Sequence, residues 1–190
     1  MERTVETNKE VKKIHPQKFA MWLAIGSIIM MFAGLTSFFI ARKAQGNWVY
    51  YRIPEIFYYS TSAIICSSWT LIIAFRAFKN RQMQRYRLFT AITILLGILF
   101  LVLQYEGFLY LYAHGVKING NPSESILFVI FGLHGLHIIG GIIALLIMFF
   151  MAFRKNIKVY NTIGLEIVST YWHFVDVLWI YLFVFFLANQ

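Results

Sequence analysis

Five long apolar stretches constrain this chain more than any other feature. They cover residues 19–41, 56–75, 88–105, 125–153 and 167–188. Crossing about 30 Å of hydrocarbon takes roughly 20 helical residues, and every backbone polar group must be satisfied within the segment. The sequence therefore predicts an all-α integral membrane protein, a bundle of five transmembrane helices. Residues 1–18 form a polar N-terminal tail and residues 19–190 a single membrane domain. The first stretch is not a cleaved signal peptide: it is too long, and Arg42-Lys43 follows it as a stop.

Composition excludes the other classes. Hydrophobic residues make up 59% of the chain and charged residues 13%, against about 25% charged in soluble domains. The net charge of +9 does not point to nucleic acid, because the basic residues sit in short clusters rather than on one continuous face. A single cysteine, Cys66, rules out a disulfide scaffold. With Ser67 and Ser68 it reads as small-residue packing.

The charge gives an orientation. Thirteen of the seventeen Lys and Arg fall in the tail, the second-to-third loop and the fourth-to-fifth loop; the other side holds Arg42, Lys43, Arg52 and Lys117. The positive-inside rule places the N-terminus in the cytoplasm and the C-terminus outside. The basic run 79–87 is also suited to anionic lipid headgroups. Trp48, Tyr50, Tyr51, Tyr58, Tyr59, Tyr110 and Tyr112 outside, with Tyr86 and Tyr160 inside, read as aromatic belts. Pro16, Pro54 and Pro122 stand at or just before helix starts, and Ser123 or Ser125 is placed to cap the fourth. Loops are short except 106–124, so the helices are expected to pack as antiparallel neighbours in sequence order.

Ionisable groups within the spans are the candidate functional residues, since each is costly in hydrocarbon. The fourth span holds His134 and His137; the fifth holds His173 and Asp176, with Glu166 at its inner end. At about 100° per residue, seven steps return His173 to within about 20° of Glu166, and Asp176 follows on the same stripe with Ser169. His134, His137 and Gly141 share a face of the fourth helix, and Gly140 and Gly141 admit a close neighbour. Both stripes reach mid-membrane, where they are placed to meet. Such groups suit a metal site, axial haem ligation, a proton path, lipid-headgroup contact, or hydrogen bonding between helices and subunits. No nucleophile with a base and no phosphate-cradling loop stands out. No inverted repeat marks a transporter.

Two segments resemble a known family. Tyr171-Trp172-His173-Phe174-Val175-Asp176-Val177-Leu178-Trp179, with Glu166 upstream, resembles the last helix of subunit III of the haem-copper terminal oxidases. Gly132-Leu133-His134-Gly135-Leu136-His137-Ile138-Ile139-Gly140 resembles the penultimate helix. Lys18-Phe19-Ala20-Met21-Trp22-Leu23 is similar to the family's first conserved opening, and Gln104 to the glutamine ending its middle helix. Five spans match the short bacterial form, which lacks the first two of seven helices. The resemblance implies an accessory subunit of a cytochrome c or quinol oxidase in the bacterial inner membrane, with no cofactor in this chain. Haems and copper would lie in the catalytic subunit I beside it, within a multi-subunit complex or larger supercomplex. It also implies bound phospholipid and support of proton uptake. Where relatives often carry Ser-Glu, this chain has Ser27-Ile28, so no role of that acid transfers; Glu106 is a loose equivalent of an acid after the glutamine. Two rival functions remain at this stage: a stand-alone membrane metal- or haem-binding oxidoreductase, and a small proton or solute carrier.

Overall fold

A computed structural model describes residues 15–44, 53–114, 122–153 and 162–189. It contains five α-helices: α1 (Pro16–Ala44), α2 (Ile56–Lys79), α3 (Met83–Ala113), α4 (Pro122–Met151) and α5 (Thr162–Ala188). Each is long and apolar enough to cross a membrane. Many large apolar side chains face outward, among them Met30, Trp69, Leu95, Leu136 and Val177, as expected where lipid is the solvent.

The helices outrun the apolar stretches. α3 has 31 residues, about 46 Å at 1.5 Å per residue, against about 30 Å of hydrocarbon. Hydrogen bonding carries a helix on through the interface, where charged residues such as Arg85 and Glu106 are good helix formers. Glu106, expected in a long loop, is therefore an exposed residue within α3. α4 likewise begins at Pro122, so neither Ser123 nor Ser125 takes the cap position. The expected belt and loop residues Trp48, Tyr50, Tyr51, Arg52, Lys117, Arg154, Lys155, Lys158 and Tyr160 lie outside the described residues, as does the tail before residue 15.

α2 and α3 form a helical hairpin. The Gln82 N–H donates to the Ala77 carbonyl at 2.9 Å and the Arg81 N–H to the Phe78 carbonyl at 3.0 Å, the paired bonds of a Schellman ending. Arg81 occupies the left-handed position at φ 56°, where glycine is usual. Along the hairpin, the Thr70 and Thr93 hydroxyls meet at 2.8 Å and Gln104 Nε2 donates to Ser60 Oγ at 3.0 Å. Tyr86 is not a belt residue: it is buried against Phe78, ring centroids 5.1 Å apart.

Sequence order does not set the neighbours of α1. Among the described residues it packs closely on α4 and α5 and not on α2. Its buried face is a single stripe, Ile25, Phe32, Thr36 and Phe39, one heptad from end to end of each apolar pair. Lys18 pairs with Glu166 near the starts of α1 and α5, and Lys43 Nζ donates to the Asn189 carbonyl past the end of α5 at 2.9 Å. The two helices therefore run parallel, whereas Arg87 at the start of α3 donates to the Ala152 carbonyl after α4, an antiparallel pairing.

α5 is the hub, packed on α1, α2 and α4. Its two tryptophans, seven residues apart, do most of the joining. Trp172, 1% exposed, lies between Gly97 of α3 and Gly141 of α4, and its indole N–H donates to Ser67 Oγ of α2 at 3.1 Å. Trp179, fully buried, donates to Thr61 Oγ1 of α2 at 3.0 Å and meets Phe57, Phe100, Phe131 and His134 through its rings. The expected close approach at Gly140 and Gly141 is thus made by Tyr171 and Trp172.

A Cβ on Gly141 would stand 2.9 Å from the Trp172 ring, which is held on several sides and has no room to yield. Gly141→Ala is expected to destabilise the purified chain by about 1–3 kcal/mol, read as a lower unfolding midpoint in detergent. Gly34→Ala, with nothing within 4 Å, is expected to leave that midpoint unlowered, since alanine favours a helix interior over glycine. Replacing the acceptor, in Thr61→Val or Ser67→Ala, strands a buried indole N–H and is expected to cost roughly 1–3 kcal/mol, with a shift in tryptophan emission.

Candidate functional site

The five ionisable residues singled out by the sequence do not gather in one place: Glu166 lies apart, His173 and Asp176 share Ser68 as a neighbour, and the α4 histidines face elsewhere. Glu166 is half-buried and pairs with Lys18 across the α1–α5 boundary. His173 is half-buried, and its Nδ1 is hydrogen-bonded to Ser68 Oγ of α2 at 2.5 Å. Asp176 is 3% exposed. Ser68 also stands beside its carboxyl but outside hydrogen-bond geometry, and neither Asp176 oxygen has a partner among the described residues.

The α4 histidines face a different environment. His134 is 1% exposed, and neither ring nitrogen has a hydrogen-bond partner among the described residues. Phe32, Phe100 and Trp179 surround it at centroid distances of 6.5, 5.9 and 5.1 Å. His137 is half-buried; its Nδ1 contacts the Leu133 carbonyl of its own helix at 2.7 Å. The α4 histidines meet α5 through the Trp179 ring against His134 and through the main chain, where the Tyr171 hydroxyl donates to the His137 carbonyl at 3.0 Å. The side chains of the two stripes share no hydrogen bond among the described residues. α5 instead directs Glu166 to α1 and His173 to α2, while apolar rings fill the α4–α5 boundary.

The lesser candidates are placed as follows. Gln104 is buried and pins α3 to α2 through Ser60. Ser27 donates to the Leu23 carbonyl one turn back at 3.0 Å. Glu106 is exposed and no described residue pairs with it in a salt bridge. Cys66 is exposed rather than packed, whereas its neighbours Ser67 and Ser68 carry the contacts to α5.

The sequence reading missed the α2 hydroxyls as partners of α5, though a signal was present. Ser60-Thr61 and Ser67-Ser68 recur at seven residues, the same interval as Trp172 and Trp179. The acceptors used are Thr61 and Ser67, six residues apart, so two hydroxyl pairs near the heptad interval let antiparallel helices match donor with acceptor twice on one seam. Chemically, the arrangement ties helices together at several depths. Among the described residues no three His, Cys, Asp or Glu side chains gather as a metal site would require.

Residues 51–188 match the cytochrome c oxidase subunit III family. The chain is 32% identical over 173 residues to a probable cytochrome c oxidase subunit 3 of Mycobacterium tuberculosis, covering 86% of this chain and 82% of the relative. It is 30% identical over 188 residues to a probable cytochrome c oxidase subunit 3 of Nocardia farcinica, covering 90% of each. A probable quinol oxidase subunit 3 of Staphylococcus aureus is 28% identical over 171 residues, covering 87% and 85%. Five apolar helices with the Trp172-to-Trp179 segment at their hub, matched over most of the length of both kinds of relative, make this chain a member of the subunit III family of terminal oxidases, in its five-helix bacterial form.

Proposed function

We propose that this chain serves as the accessory, non-redox subunit of a proton-translocating respiratory oxidase, which reduces oxygen to water in the bacterial inner membrane. Its N-terminus lies in the cytoplasm and its C-terminus outside. The haems and copper belong to catalytic subunit I, against which this chain packs. Its contributions are a rigid membrane scaffold, lipid contact and support of proton uptake.

The observation that carries this reading is the divergence of the polar residues. Glu166 pairs with Lys18 and His173 and Asp176 stand at Ser68, while His134 and His137 face apolar rings and their own helix, so no three of these side chains converge among the described residues. Groups that ligate a metal or haem must converge; groups that brace a bundle are distributed among its seams. The outward apolar side chains supply lipid contact along the spans. The exposed Arg76, Lys79, Arg81 and Arg85 around the α2–α3 turn suit anionic headgroups, at about 1 kcal/mol per basic residue. The presence of both cytochrome c and quinol oxidase subunits among the relatives fits a subunit whose scaffold is indifferent to the electron donor.

The test is co-purification. A tagged chain extracted in mild detergent is expected to bring down a haem- and copper-containing oxidase; recovery of the chain alone, with transport activity in liposomes, overturns the reading. Asp176→Ala is expected to lower the co-purified oxidase several-fold while its haem spectrum stays unchanged. A changed spectrum with assembly intact would place this residue in the redox machinery instead.

A further inference from the structure

α1 and α2 both pack on α5, and among the described residues their backbones do not come close to each other. Between them α5 presents one face, Glu166, Thr170, His173, Val177, Ile180 and Val184, half-buried over its first part and exposed from Val177 on, which forms the floor of a groove. Val177 is 63% exposed and Val184 57%. Near the start of α5 the groove widens into a cavity of about 210 Å³ bounded by Lys18, Trp22, Glu166 and Thr170. Near its other end the Tyr181 and Thr36 hydroxyls meet across the α1–α5 wall at 3.2 Å.

Lipid tails do not complete this surface, because His173 lies in its middle. It stands eleven residues into a 27-residue helix, about 16 Å from the helix start at 1.5 Å per residue and so near mid-depth. Its Nδ1 is hydrogen-bonded to Ser68, and Nε2, on the far side of the ring from that bond, has no partner among the described residues. Whichever nitrogen carries the proton, Nε2 brings an unmet donor or acceptor to the groove. An unsatisfied polar group in hydrocarbon costs several kcal/mol, and acyl chains have nothing to offer it. A transmembrane helix does, through a hydroxyl, amide or carboxyl side chain facing the groove. Resting on the subunit reading above, we infer that the α1–α5–α2 groove is the docking site for a transmembrane helix of a partner oxidase subunit, and that His173 Nε2 hydrogen-bonds to a polar side chain of that helix at mid-membrane.

The test uses the assembled complex in native membranes. A photo-crosslinking phenylalanine analogue is placed at Val177 or Val184 in the groove, and at Leu95 or Val102 on the exposed face of α3. Groove positions are expected to capture a subunit of the haem- and copper-containing oxidase at least tenfold more efficiently than α3 positions. In parallel, His173→Leu is expected to reduce co-purified oxidase several-fold, with partial recovery in His173→Gln; the crosslinks stay informative if either variant folds poorly. Adducts to lipid alone, or to a second copy of this chain, from Val177 and Val184 overturn the inference. Capture of the oxidase only through Leu95 or Val102 also overturns it, while the subunit reading stands. A tagged chain that purifies without any oxidase removes both.

Discussion

The indole pairing between α5 and α2 is the interaction on which the rest of this bundle depends. In a bilayer, apolar side chains gain nothing by leaving lipid for protein, so helices associate through close packing and hydrogen bonds. Trp172 and Trp179 supply both. Each buries a large ring against glycine or aromatic neighbours and hands its N–H to a hydroxyl of α2. Trp172 alone touches α2, α3 and α4, which makes the positions of three helices depend on one side chain. α1 is attached afterwards, as an outer layer on α4 and α5.

The five spans were legible because hydrocarbon thickness imposes a length and a composition that few other constraints imitate. Helix ends were not, since α3 continues past Gln104 into residues whose charge says only that lipid has ended. Neighbour order failed for α1 because short loops limit distance without deciding which face is buried. The stripe Ile25, Phe32, Thr36 and Phe39 is apolar like the rest of its helix, so no amphipathic pattern announced it.

The polar residues show the same split. His134, His137, Glu166, His173 and Asp176 were conspicuous as ionisable groups in apolar runs, but spacing along one helix gives only an azimuth. It does not say which neighbour that azimuth meets. Glu166 meets Lys18 of α1, and His173 meets Ser68 of α2, because α5 stands between those helices. Ser60, Thr61, Ser67 and Ser68 drew little notice because hydroxyls are cheap to place in a membrane helix, where most can bond one turn back along their own chain. Their pairing role emerged only with the opposing tryptophans.

That α1 packs on α4 and α5 bears on how the chain is made. Of the five helices α1 is synthesised earliest, yet the helices it packs on, α4 and α5, are encoded more than seventy residues later. At about 5–20 residues per second, α1 waits several seconds to tens of seconds for them. The α2–α3 hairpin needs no such delay, because both halves and its turn emerge together. The natural order of assembly is therefore hairpin first, α4 and α5 onto it next, and the first-made helix docked last.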